Sequence, residues 1–353
     1  MEKADKWMFQ PNFKYTNKIV RLLARIQAAR EVIINSPLIP AWEKQLQQEA
    51  LVKQTHHTTS IEGNPLTLEE VGLIIEGKEV LAHEKDKKEV RNYVDVLKYI
   101  DSLPENDPIT EEILLEIHSL TAKNILPDDS VGNYRKVRVI VGDPKTGKVT
   151  YTPPGPAEVP ALTKALVEWL NSEEALDLMP AMQAGIAHHE LARIHPFVDG
   201  NGRSARALAT LILTKRGFDT KRFFALEEYY NKARHSYYSA LSSADEGDRD
   251  LTEWLEYFLF GIAVEISRVE KTVLKLSSDR SMKEKFGQVG LSSRQIKAIE
   301  YLKEKGQITS NEYQEICDVS QPTANRDIQD MLDKKLLIQN GKMGQQVIYV
   351  LNF

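Results

Sequence analysis

Twelve consecutive residues carry the densest chemistry in the chain: His195-Pro196-Phe197-Val198-Asp199-Gly200-Asn201-Gly202-Arg203-Ser204-Ala205-Arg206. They lie between two stretches of helical apolar periodicity, so they read as a loop running into a helix amino terminus. Gly200 and Gly202 let the backbone come close to a ligand, and a helix start offers free N–H groups and the positive end of the helix dipole. Arg203 and Arg206, three residues apart, share a helical face, and their guanidinium forks suit phosphate oxygens. Together these features read as a triphosphate cradle. Asp199 at its edge is the hard oxygen ligand that Mg²⁺ takes beside phosphates. His195, titrating near neutrality, can accept a proton from an attacking hydroxyl. Phe197 is expected to point inward and anchor the loop.

The elements that must position this loop are mostly α. Apolar periodicity predicts helices over 17–35, 40–61, 87–103, 109–124, 157–171, 179–194, 201–216, 230–244 and 250–276. Thr67 with Glu70 forms a capping box that starts one more. Two β-branched runs, 137–141 and 148–152, flank a Gly- and Pro-containing turn and predict a hairpin. Polar residues with glycines at 277–291 predict a linker. Beyond it, helices over 292–305, 310–317 and 321–335, then strands over 336–339 and 346–351, give the layout of a winged helix-turn-helix. The expected domains are 1–108, 109–276 and 277–353.

Composition narrows the classes. With 353 residues, 42% apolar, 27% charged and a net charge of -5, the chain is globular and has no overall attraction for nucleic acid or anionic lipid. A single cysteine, Cys317, and an amino terminus without signal-peptide layout predict a reducing cytoplasm. The longest apolar run, 257–264, is too short to cross a bilayer, so no membrane is expected. Residues 142–148 spell the start of a phosphate loop, but Val149 stands where a Ser or Thr would follow and strands surround it, so they read as a hairpin tip whose edge could hold a protein segment. His188-His189-Glu190 lacks the spacing of a helical zinc motif. From 291 onward eight Lys and Arg balance eight Asp and Glu, which leaves DNA and protein both open as partners of the carboxy-terminal module, as well as a homodimer.

The twelve-residue loop resembles the signature of the Fic family of AMP transferases, HxFx(D/E)GNGRxxR, and all its fixed positions are matched by His195, Phe197, Asp199, Gly200, Asn201, Gly202, Arg203 and Arg206. The resemblance extends over about residues 55–260. Residues 132–135 look like the segment before the family's target-docking flap, and Tyr237-Tyr238 falls where members carry a tyrosine against the adenine. Asp245 departs from the asparagine that some relatives have near the nucleotide. Thr58-Thr59-Ser60-Ile61-Glu62-Gly63 looks like the family's inhibitory motif, (S/T)xxxE(G/N), in the subclass that carries it amino-terminally.

What the resemblance implies is a Fic-type helical core that transfers AMP from ATP, with Mg²⁺, to a Tyr, Thr or Ser hydroxyl of a protein, including itself. His195 would be the base and Asp199 the metal ligand. Gly200, Asn201, Gly202, Arg203, Arg206 and Tyr237 would bind the nucleotide, and Glu62 would inhibit by pairing with Arg206. Removal of AMP by the same site, and an ATP-responsive DNA-binding regulator, stand as alternatives.

Overall fold

The computed structural model describes residues 8–352 except 106, 143–148, 220, 246–247, 289–290 and 341–346; at 245, 279–288, 303 and 304 it describes the backbone alone. The chain divides into two compact units, Met1–Leu274 and Lys275–Phe353.

The first unit opens with α1 (Asn17–Asn35) and α2 (Pro40–Ile61), whose limits coincide with those expected. Thr16 caps α1 through its side chain, and Pro40 opens α2, where a missing N–H costs nothing. The Thr67–Glu70 capping box starts α3 (Leu68–Ile75). There follow α4 (Glu84–Ser102) and α5 (Glu111–Ala122), the latter capped by Thr110. Two short strands, β1 (Val141–Gly142) and β2 (Val149–Tyr151), pair antiparallel. The hairpin is thus shorter than expected, because residues 137–140 lie outside the ladder; the tip at 143–148 lies outside the described residues.

Next come α6 (Val159–Leu170), a short α7 (Glu173–Asp177) and the central pair α8 (Pro180–Ile194) and α9 (Asn201–Lys215). These two helices are buried almost throughout, polar residues such as Gln183, His188, Glu190, Arg203 and Arg206 included, as befits helices at the centre of a bundle. α2, α4 and α5 pack against α9, and α6 packs against α8. The single helix expected at 230–244 is instead α10 (Leu226–Lys232) and α11 (Arg234–Ser242), broken at Ala233, with a 3₁₀ turn at Ser243–Asp245. α12 (Thr252–Gln288) packs on α8, where the Trp254 indole donates to the Gly185 carbonyl at 2.7 Å. It continues through most of the expected linker, since 277–288 is rich in Lys, Glu, Met and other helix formers.

The second unit holds α13 (Ser293–Lys305), β3 (Ile308–Thr309), α14 (Ser310–Cys317), α15 (Gln321–Asp333), β4 (Leu337–Asn340) and β5 (Ile348–Leu351). Its three strands form an antiparallel sheet in the order β3-β5-β4, so β3 is an addition to the two strands expected. Ile299, Leu302, Tyr313, Ile328 and Met331 form its core. No helix among the described residues is long and apolar enough to cross a membrane.

Candidate active site

The loop expected from the sequence is residues 195–200, between α8 and α9. His195 caps α8 in the left-handed region (φ 51°, ψ 57°), an uncommon conformation for a non-glycine residue. Gly200, at φ 79°, is the N-cap of α9 and supplies no side chain to it, so the first N–H groups of α9 face outward without a side-chain cap.

Asn201 closes the loop on itself. Its Oδ1 accepts from the Phe197 N–H and its Nδ2 donates to the Phe197 carbonyl, both at 2.9 Å. What Asn201 offers outward is therefore its backbone. Phe197 is buried, as expected, and Val198 beside it is 44% exposed.

The His195 ring is tied at one nitrogen. Nδ1 lies 3.1 Å from the Ala192 carbonyl, which can only accept, so Nδ1 carries the proton and Nε2 keeps its lone pair. Burial lowers its pKa below the usual value; the bond to Ala192 opposes this, Arg135 adds to it, and Glu62 and Asp199 oppose it. A neutral imidazole with a free Nε2 is the form that accepts a proton.

Both signature arginines are buried. Arg206 donates through Nη2 to Glu62 Oε1 at 2.6 Å and to the Thr58 carbonyl at 3.1 Å, and through Nε to Thr58 Oγ1 at 2.8 Å. Burial alone would lower its pKa, but Glu62 turns the shift upward. Arg203 has Glu89 at 3.7 Å and Asp199 at 3.8 Å, while its Nε and Nη1 make no hydrogen bond. Two buried, under-committed donors beside an uncapped helix start are suited to an anion.

Glu62 is the C-cap of α2, and its carboxylate lies directly over Gly202. A Cβ on Gly202 would overlap Glu62 Oε1 and stand 3.2 Å from Arg206 Nη1. The same carboxylate bears electrostatically on His195. Asp199 Oδ1 accepts from the Gly200 N–H at 2.6 Å, and the side chain is 56% exposed, so one face of the carboxylate is open to solvent. Among the described residues no cluster of three or more His, Cys, Asp or Glu is arranged to hold a metal unaided.

Tyr237 is 2% exposed, stacked on Tyr230 with centroids 4.5 Å apart and bonded through its hydroxyl to His188 Nε2 at 2.9 Å. The ring with open surface is Tyr238, 45% exposed, with Glu62 and Arg206 bearing on its hydroxyl. The side chain of Asp245 lies outside the described ones.

Further residues converge on the loop, among them Arg135 of the 132–135 segment and two, Asn64 and His118, that no local pattern singled out. Arg135 donates to the carbonyls of His195, Val137 and Pro154 at 2.7, 3.1 and 2.6 Å, and its N–H donates to Pro196 at 2.9 Å. It binds the loop to the segments on either side of the β1-β2 hairpin. Asn64, just past Glu62, donates to Glu89 Oε2 at 2.9 Å and so ties the segment after α2 to α4. His118 on α5 stacks flat on Phe197.

A model of the Fic/DOC family matches residues 108–213, which contain the whole loop. The chain is 31% identical over 232 residues to a protein adenylyltransferase Fic from Culex quinquefasciatus, covering 64% of this chain and 43% of that one. It is 32% identical over 237 residues to a protein adenylyltransferase Fic from Nematostella vectensis, covering 64% and 51%. The chain thus spans about half the length of the curated relatives it matches. A Fic family protein from Desulfovibrio desulfuricans G20 shares the fold over 97% of this chain and 98% of its own, with TM-score 0.65 and 24% identity. Fic-1 from C. elegans superposes with TM-score 0.60 and 27% identity over 75% of this chain and 73% of its own. The loop and the two helices that carry it thus fall almost wholly within residues 108–213, the stretch of this chain that matches the Fic/DOC family.

Proposed function

We propose that the protein transfers AMP from ATP to a Tyr, Thr or Ser hydroxyl of a protein, and that Glu62 restrains this activity at rest. The observation that carries the reading is the uncapped start of α9, flanked by two buried arginines and by an imidazole whose Nε2 is free. The hydroxyl oxygen forms a bond to the α-phosphorus, the bond from that phosphorus to the bridging oxygen of pyrophosphate breaks, and the hydroxyl proton passes to His195 Nε2. The backbone of residues 200–202 and Arg203 hold the α- and β-phosphates, and Arg206 holds the γ-phosphate.

Asp199 fits a magnesium ion, since it is a half-exposed hard carboxylate at the mouth of the cradle, and Mg²⁺ usually takes one or two carboxylates together with substrate phosphates. Bound there, the metal would offset phosphate charge. The adenine would lie against Tyr238, with Tyr237 as the buried support beneath it.

Restraint follows from geometry. While Glu62 holds Arg206, the guanidinium is committed to a carboxylate and Glu62 covers Gly202, so a triphosphate meets negative charge where it needs a clamp. The three-helix unit at the carboxy terminus is proposed as a winged helix-turn-helix, supported by the β3-β5-β4 sheet, whose first strand precedes α14 and whose other two follow α15. The test of the activity is incubation of wild type and Glu62→Gly with labelled ATP, Mg²⁺ and cell lysate. Transfer of label to protein hydroxyls, stronger in Glu62→Gly, supports the reading; a folded Glu62→Gly protein that labels nothing overturns it.

A further inference from the structure

His118 sits at the middle of α5, fully buried, and touches the active-site loop at two places and a second loop at a third. Its ring lies parallel to Phe197 at 3.7 Å and 2°. Its Nδ1 receives the Gly132 N–H at 3.1 Å, and its Nε2 stands 3.1 Å from the Asp199 carbonyl. The two bonds determine the tautomer. A nitrogen that accepts from an amide carries no proton, so the proton is on Nε2 and is donated to Asp199. Burial supports the neutral form by pushing the His118 pKa down to about 4.

Each partner matters to the cradle. The Asp199 carbonyl belongs to the peptide unit whose N–H is that of Gly200, so a donor fixed on that oxygen fixes the orientation of the peptide leading into α9. Gly132 stands at φ 67°, and a Cβ there would come within 3.2 Å of Ser119 Cβ, so its turn is pressed against α5 beside His118. Three residues on, Arg135 grips the carbonyl of His195. The turn at 132–135 therefore reaches the loop twice, through His118 at its Asp199 end and through Arg135 at its His195 end.

We infer that His118 is a positioning residue for the proposed AMP transfer: it bridges the turn before the hairpin to the Asp199–Gly200 peptide and holds the carboxylate and the start of α9 in register with His195. The inference rests on the transferase reading above, and its test separates the two. His118→Gln places an amide donor near the Nε2 position and loses the acceptor for Gly132. His118→Asn places an acceptor near the Nδ1 position and loses the donor to Asp199. Both lose the ring, so the difference between them weighs the Asp199 bond against the Gly132 bond.

The variants are made in the full-length Glu62→Gly protein, where self-labelling is followed at saturating and limiting ATP beside melting curves and amide hydrogen exchange of the 195–203 segment. Expected is a turnover number lowered about 10- to 100-fold in His118→Asn, the scale of a misplacement of roughly 1 Å, with little change in KM for ATP. His118→Gln should recover most of the rate, and exchange in 195–203 should rise in Asn and not in Gln. Equal losses in both variants, tracking melting temperature alone, would overturn the inference. If the Glu62→Gly parent itself labels nothing, the transferase reading fails, and exchange still decides whether His118 holds the loop: a rise confined to Asn supports it and equal exchange in the two overturns it.

Discussion

Glu62 and Arg206, 144 residues apart in sequence, meet at 2.6 Å with the guanidinium almost wholly buried and the carboxylate partly exposed. A buried arginine robbed of its counter-charge is costly, so the partner that replaces Glu62 must itself be anionic.

Glu62→Gly should therefore raise self-labelling with ATP, and Arg206→Ala in the same protein should cancel the gain. Because the two groups touch, the double mutant should depart from additivity by about 0.5–3 kcal/mol. Self-labelling by wild type, both single variants and the double variant checks this. Reduced or unchanged labelling in a well-folded Glu62→Gly protein would remove the inhibitory role, and additive effects would make Glu62 a helix cap only.

Gly202→Ala should have opposite effects in two backgrounds. Within a helix the change from Gly to Ala stabilises by about 0.5–1 kcal/mol, and that gain should appear in Glu62→Gly. In wild type the new methyl overlaps Glu62 Oε1 and pushes the carboxylate off Arg206, so the gain should vanish or reverse. Thermal melts of the four proteins decide it; the same shift in both backgrounds would contradict the contact.

The proposed base predicts both a loss and a pH limb. His195→Asn keeps a residue that tolerates the left-handed conformation and should lower transfer by about two to four orders of magnitude with little change in melting temperature. In Glu62→Gly the rate should rise with pH through a midpoint below about 6.5, since burial lowers the His195 pKa and the opposing charge of Glu62 is gone. A midpoint above the ordinary histidine value would exclude His195 as the group that takes the proton.

Acid should weaken the first unit through its buried histidines, against an opposing gain from Asp219 and Glu265, whose carboxyls burial pushes up to about 7. Burial lowers the pKa of His57, His118 and His189 to about 4, against about 6.5 in an unfolded chain. The unfolded state then binds more protons between those values, so stability present above about pH 6.5 is lost as pH falls toward 4. Melting temperatures from pH 7 to 4.5 should decline, and His189→Gln, which can still donate to the Leu241 carbonyl, should flatten the slope. The same slope in His189→Gln as in wild type would show that the His189 ring is not held neutral by the fold.

The loop was legible in the sequence because its chemistry is local: helix spacing puts Arg203 and Arg206 on one face, and two glycines at a helix start announce an anion site. The capping box at Thr67–Glu70 and the ends of α1 and α2 are likewise set by neighbours in the chain. His118 and Glu89 were not legible, since they act across 81 and 114 residues and no local pattern marks them; Arg135 lies in the 132–135 segment that the resemblance marked, but its grip on the loop 60 residues away did not show. Adjacent helix positions point about 100° apart, so Tyr237-Tyr238 announces one inward ring without saying which. The break at Ala233 reflects a tertiary context that overrides weak local propensity, whereas the run of α12 through 277–288 was not legible because polar helix formers there read as a linker.

Val198 gives the loop a practical port. Its side chain makes no part of the Asn201 closure and is 44% exposed. Replacing it with cysteine would put a thiol-directed fluorophore within one residue of Asp199 without touching the Asn201 closure. The competing thiol is that of Cys317, half-buried, bonded to the Arg294 carbonyl at 3.4 Å and pushed up in pKa by burial. A dye at 198 would then report nucleotide arrival and release of Glu62 as changes in its own brightness, in real time and without radiolabel.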